Sequence, residues 1–261
     1  MGYIKSAQCC GTFFLVCFVA IANPMAAKAS PWPMPEGEGQ TITRTESFTS
    51  PTFRQLTTSM YTEYGLTPTA TLTGKLAYAT QEYGGQFPAA TQGLTAAEIS
   101  LQQQFKRTDR SVFSGQISYA AKTNMDRIQQ SDNVRFAPIT YGNAVEISIL
   151  TGRSFNNEGT VFFTTQTGVR HALGDDADLV NFEFTAGIKP LARWMILAKS
   201  LNSISLQNDS GGVDYDIARL EPTIVYHRND RASYAIGGSY DIYGRNLQTG
   251  NSIFFSIWNR F

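Results

Sequence analysis

The last twelve residues, Gly250 to Phe261, constrain the fold more than any other stretch. Counting back in twos from Phe261 gives Asn259, Ile257, Phe255 and Ile253, a nearly apolar stripe at strand period. A strand that carries Ile253, Phe255, Ile257 and Phe261 on one face would expose both an apolar surface and an unpaired edge. Pairing with the first strand of the chain removes the edge, and in lipid nothing else does. These residues are therefore the expected closing strand of a membrane β-barrel. A soluble strand that ends in Phe would read the same, so the rest of the chain must discriminate.

Residues 1–29 have the three parts of a secretory signal. Lys5 supplies the charge, Cys9 to Ala22 the apolar run, and Ala27-Lys28-Ala29 the small residues before a cut at Ser30. The run is too short, and is closed too soon by Asn23-Pro24, to span a membrane. Cys9, Cys10 and Cys17 all lie inside it, so residues 30–261 hold no cysteine and no disulfide framework. That length suits one domain. The formal charge is zero, which gives no electrostatic footprint for nucleic acid.

The remaining chain reads as period-2 segments. Leu56, Thr58, Met60, Thr62 and Tyr64 oppose Thr57, Ser59, Tyr61 and Glu63. Ala97, Ile99, Leu101, Gln103 and Phe105 oppose Glu98, Ser100, Gln102, Gln104 and Lys106. One face is apolar or small and the other polar, which a soluble antiparallel sheet also shows. The joints decide. Tight turns fall at 67–69, 107–110, 156–159, 190–193 and 228–231. Longer stretches alternate with them at 81–95, 123–143, 172–178, 206–215 and 243–249. Short turns on one side and longer loops on the other are how outer-membrane barrels are built, with the turns in the periplasm. The expected fold is all-β, an antiparallel transmembrane β-barrel of about twelve strands, with ten or fourteen as alternatives. Aromatics near the tight turns (Tyr64, Phe105, Phe155, Trp194, Tyr226, Tyr234, Phe261) match an interfacial girdle. Trp194–Leu201 is apolar on both faces, and periodicity does not fix its inward side.

The polar faces supply the candidate lumen residues: Glu63, Lys75, Glu98, Lys106, Lys122, Glu146, Arg170, Glu183, Lys199, Arg219, Glu221, Asp241 and Arg260, with Lys189 on the same pattern. Charges of both signs in a lumen must be wet or paired. They would either line a hydrated path and set its field, or pair across the interior and plug it.

Several stretches carry a family likeness. The opening Trp32-Pro33-Met34-Pro35-Glu36-Gly37-Glu38-Gly39-Gln40 is one. Others are Glu63–Thr67, Lys106–Ser114, Ala198–Ser203, Asp214-Tyr215-Asp216 with Arg219-Leu220, and Gly244-Arg245-Asn246. The chain from Trp32 to Phe261 resembles the transporters of the phenol-degradation meta-pathway-like family of proteobacterial outer-membrane proteins. The resemblance implies a transporter barrel and carries over no catalytic residue. Asn259 stands third from the end, where such strands often have Tyr.

Motifs for chemistry are sparse. A triad needs His beside a nucleophile and an orienting group. His171 lies near the expected outside and His227 beside the 228–231 turn, and neither has such a pattern locally. Asp175, Asp176 and Asp178 form an acidic cluster, as do Asp209, Asp214 and Asp216; each is better read as a solvated loop than as a cation site. No phosphate-binding glycine motif or nucleophile elbow occurs. The expectation is a non-enzymatic outer-membrane channel of a Gram-negative bacterium, with no metal or cofactor. It would pass small solutes through a charged lumen, with the 123–143 loop as constriction or lid. A plugged barrel acting through its outer loops is the alternative, and an outer-membrane hydrolase the weaker one. Expected partners are outer-membrane lipids, a small solute, and the barrel-assembly machinery through the C-terminal strand; nucleic acid is not expected.

Overall fold

A computed structural model describes residues 31–84, 89–122, 142–156, 159–174, 176–207 and 214–261. Twelve strands form: β1 (Gly39–Thr49), β2 (Phe53–Thr67), β3 (Ala70–Tyr83), β4 (Ala89–Arg107), β5 (Ser111–Ala120) and β6 (Ala144–Ser154) make the first half. β7 (Val161–Ala172), β8 (Leu179–Leu191), β9 (Trp194–Ser205), β10 (Asp216–His227), β11 (Ala232–Arg245) and β12 (Asn251–Arg260) make the second. Each pairs antiparallel with its sequence neighbours, and β1 with β12, so the sheet closes on itself. The turn end carries the tight joints and both ends of the strand ladder, where the Gly39 and Phe261 backbones exchange hydrogen bonds of 2.8 and 3.0 Å. We call the opposite end the wide end.

The closing register sets Thr43 against Ile257 and Thr45 against Phe255. It turns Ile253, Phe255, Ile257 and Phe261 outward and buries Phe254 and Trp258 inward. Because the side-chain period is two, alternate residues along a regular strand face lipid and lumen. Ile99, Ile117, Ile147 and Ile149 are thus more than half exposed on the outer face, while Ser100, Ser118, Glu146 and Ser148 are buried inside. Trp194 packs on Tyr226 (4.9 Å between centroids) and Tyr234 stacks on Phe255 (6.3 Å), in the outer aromatic set near the turns. β9 resolves as Met195, Leu197 and Lys199 inward, with Ile196 outward.

Two sequence expectations need correction. Residues 81–95 do not form a long loop: β3 and β4 stay paired from Tyr78↔Leu94 up to Tyr83↔Ala89, past an irregularity between Ala77 and Tyr78. That shift breaks the alternation there, which is why the stretch lacks a strand's pattern. Lys106 is not inward either. A bulge between Gln104 and Lys106 places Lys106 opposite Phe113, which points outward, so the extra residue Phe105 reverses the face of everything after it.

Ile149 lies midway along β6 on the lipid face. Ile149→Arg should destabilise the barrel by about 2–4 kcal/mol, the cost of a cation at mid-bilayer depth. Gln116→Arg, whose side chain lines the lumen, should cost far less. The heat-modifiable fraction after refolding into lipid, read by gel mobility, checks the contrast.

Candidate functional site

The interior divides into two halves. From mid-barrel toward the wide end runs a cavity of about 490 Å³, and nine of the expected lumen residues line it: Lys75, Glu98, Glu146, Arg170, Glu183, Lys199, Arg219, Glu221 and Asp241. Arg44 and Glu46 of β1 join them. The alternation that turns Gln40 and Ile42 inward reaches both.

All of these charges but Lys75 are paired among the described residues. Arg170 donates from Nε to Glu146 (2.8 Å) and from Nη2 to Glu98 (2.9 Å). Glu146 also accepts from Asn181 (2.9 Å) and Ser148 (2.9 Å), so a nearly buried carboxylate keeps a full set of donors. Arg44 bridges Glu46 (2.8 Å) and Glu221 (2.9 Å), and its guanidinium lies 3.5 Å over the Phe254 ring. Arg219 bonds Asp241 at 2.6 Å, and Lys199 sits 3.6 Å from Glu183.

The turn-end half is filled rather than hollow. On one wall Ile42, Phe162, Met195, Leu197, Val225, Ala235 and Trp258 form an apolar cluster on β1, β7 and β9–β12, with Tyr61 against it. Met195 and Val225 have no exposed surface, so no water passes beside them. The other wall is covered by the chain's own start. Residues 31–38, which we call the strap, enter the turn end and lie against β2–β6. The Pro31 carbonyl accepts from Gln102 Nε2 (3.1 Å) and Ser114 Oγ (2.7 Å), and Met34 N donates to Thr71 Oγ1 (2.9 Å). Gly37 N donates to the Gly65 carbonyl and Gly65 N to the Glu38 carbonyl, each at 3.0 Å. Two glycines make room for it: a Cβ at Gly65 would stand 2.0 Å from the Pro35 oxygen, and one at Gly152 2.5 Å from Pro31 Cγ and 2.6 Å from Trp32 Cη2. Nothing in the period-2 pattern announces the strap, because its own residues lie outside any strand and its partners are spread over five of them.

The other expected lumen residues fall elsewhere. Glu63 and Arg260 point inward at the turn end, outside the cavity; Glu63 accepts from Tyr61 OH (3.3 Å), and Arg260 Nε donates to Gln40 Oε1 (3.4 Å). Lys189 is half-buried at the same end. Lys106 is outside on the lipid face. Lys122 is exposed beyond the end of β5, where its backbone N donates to Asn143 Oδ1. The 123–143 stretch considered as a lid lies almost wholly outside the described residues, as do Asp175 and Asp209.

The histidines occupy opposite ends. His171 pairs with Asp178 (2.9 Å) at the wide end, and His227 with Ser233 (2.9 Å), buried at the turn end. Asp176 accepts from Gly142 N, Asp214 from Ser205 Oγ, and Asp216 takes two bonds from Arg245. Among the described residues no three His, Cys, Asp or Glu side chains are grouped to hold a metal.

Fold and interior together define a closed twelve-strand transmembrane β-barrel with an apolar outer face and a charge-lined interior. No family model and no curated protein matches the chain. Solved structures match its fold. An outer-membrane channel from Pseudomonas putida F1 aligns with a TM-score of 0.65 over 91% of this chain and 100% of its own, at 8% identity. The KdgM porin in complex with disordered oligogalacturonate aligns at 0.58 over 85% and 99%, with 6% identity. The NanC porin aligns at 0.58 over 83% and 98%, with 8% identity.

Proposed function

We propose that the protein is a channel of the Gram-negative outer membrane that passes small solutes, with its tight turns in the periplasm and its wide end outside. The observation that carries this reading is the charge-lined cavity enclosed by a complete barrel wall. The fold shared with outer-membrane channels and porins supports it, as does the resemblance to the phenol-degradation meta-pathway-like transporters. Residues 1–29 would be removed on export, lipids would cover the outer face, and β12 would be read by the assembly machinery. The carboxylates and guanidinia of the lumen position solute and act on no bond. Passage through the turn end requires the strap to leave its wall, since the apolar cluster opposite is fixed by packing. The filled turn end favours one second reading, a closed barrel that acts through its outer connections.

Single-channel recording of residues 30–261, refolded into a planar bilayer, separates the two. We expect small discrete steps, and larger ones when residues 31–38 are replaced by Gly and Ser. Silence in both forms, with the barrel folded, would overturn the channel and leave the closed barrel.

A further inference from the structure

The lumen charges repeat with a period of six strands. β3, β4 and β7 carry Lys75, Glu98 and Arg170; six strands further round the ring, β9, β10 and β1 carry Lys199, Glu221 and Arg44. In both sets the lysine stands directly across a ladder from the glutamate, Lys75↔Glu98 and Lys199↔Glu221. Both glutamates then bond an arginine three strands away, each at 2.9 Å. Inward side chains three strands apart cannot meet along the wall, so each pair is a chord across the lumen. One chord cuts off the sector of β5 and β6, the other that of β11 and β12. Between them lies a central lane bounded by β2 and β3 on one side and by β8 and β9 on the other. The two lysines stand at its opposite ends.

The ends are not equivalent. Lys199 has Glu183 at 3.6 Å, whereas Lys75 lines the cavity with no ion pair or side-chain hydrogen bond to any described residue. The second carboxylate on each guanidinium, Glu146 or Glu46, takes further hydrogen bonds, from Ser148 and Asn181 or from Ser252. The cavity wall as a whole carries five cations (Arg44, Lys75, Arg170, Lys199, Arg219) and six carboxylates (Glu46, Glu98, Glu146, Glu183, Glu221, Asp241). Near-balance with one unpartnered ammonium favours neither free anions nor free cations. It suits a solute that brings both signs, with a carboxylate to meet Lys75 and a cationic group to face the chords, where one guanidinium holds two carboxylates.

We propose, resting on the channel reading, that the central lane is the solute path and that it takes small zwitterions, an ammonium and a carboxylate on one short skeleton. Lys75 is the residue that selects them, and the chords Arg170–Glu98 and Arg44–Glu221 set the width of the lane.

Liposome swelling tests this with glycine and its uncharged isomer glycolamide. The wild-type protein should pass glycine several-fold faster than glycolamide. Lys75→Glu should lower that ratio by about fivefold to tenfold, the effect of two units of charge a few ångströms from the carboxylate in a wet lumen. Lys106→Glu, on the outer face, should leave the ratio unchanged. Glu221→Gln, which cuts one chord, should raise the rate for sucrose. A wild-type ratio near one, or a ratio unmoved by Lys75→Glu, overturns the lane while leaving the channel standing. If the wild type passes neither solute, the same series is run with residues 31–38 replaced by Gly and Ser; silence there overturns the channel and the lane together.

Discussion

Gly152→Phe is expected to raise the single-channel conductance several-fold without unfolding the barrel. Gly152 sits on β6 opposite Val112 and Thr164, and its backbone pairing does not depend on its side chain. Its missing Cβ is where Pro31 and Trp32 lie, both closer than 3 Å to the position an added carbon would take. An aromatic ring there cannot coexist with them. The strap is held to the wall by bonds donated from Gln102 and Ser114, one donated to Thr71 and two backbone bonds with Gly65, each worth about 1 kcal/mol net. Overlap at backbone-fixed positions costs more than that, so the strap leaves and the turn end opens along β2–β6. Trp32 should at the same time become quenchable by iodide, measured in a Trp194→Phe background because Trp258 is buried. Conductance unchanged with Trp32 exposed would show that the apolar cluster alone seals the turn end.

The second large effect is at Glu146. Glu146 is 6% exposed, and its carboxylate accepts from Arg170, Asn181 and Ser148. Glu146→Ala removes the acceptor for all three and leaves Arg170 with Glu98 alone among the bonds described above. The expected cost is about 3 kcal/mol, because the donors left behind are taken out of water without a partner. Arg170→Ala should cost a similar amount by stranding the two carboxylates. The double variant should be less destabilised than the sum of the singles by about 1–3 kcal/mol, the signature of groups that share one network. Denaturant unfolding in lipid vesicles measures all three. Strict additivity would mean that the two side chains are independently solvated and that the chord is not a structural brace.

The resemblance to known outer-membrane barrels lies in architecture. At 6–8% identity, over 83–91% of this chain, the likeness to those channels and porins is one of fold. Any selectivity must therefore come from its own inward residues. For that reason the six-strand repeat of Lys, Glu and Arg is a sharper guide to solute class than the fold.

The sequence by itself determined the wall. Alternation at period two, five tight turns and an apolar final strand are local properties, and a closed membrane barrel is the one arrangement that satisfies them together. The inward side of most strands followed directly, since a register fixed by lipid on one face leaves no choice on the other. Lys106 escaped because a single bulge reverses the phase, and residues 81–95 escaped because an irregularity hides a paired extension. What filled the wall was decided only by the tertiary structure. Arg170 meets Glu98 across 72 positions of sequence, Arg44 meets Glu221 across 177, and Pro31 takes a hydrogen bond from Ser114 across 83. These contacts depend on which strands closure brings face to face across a lumen. Periodicity records the face a residue occupies, and not what stands opposite it.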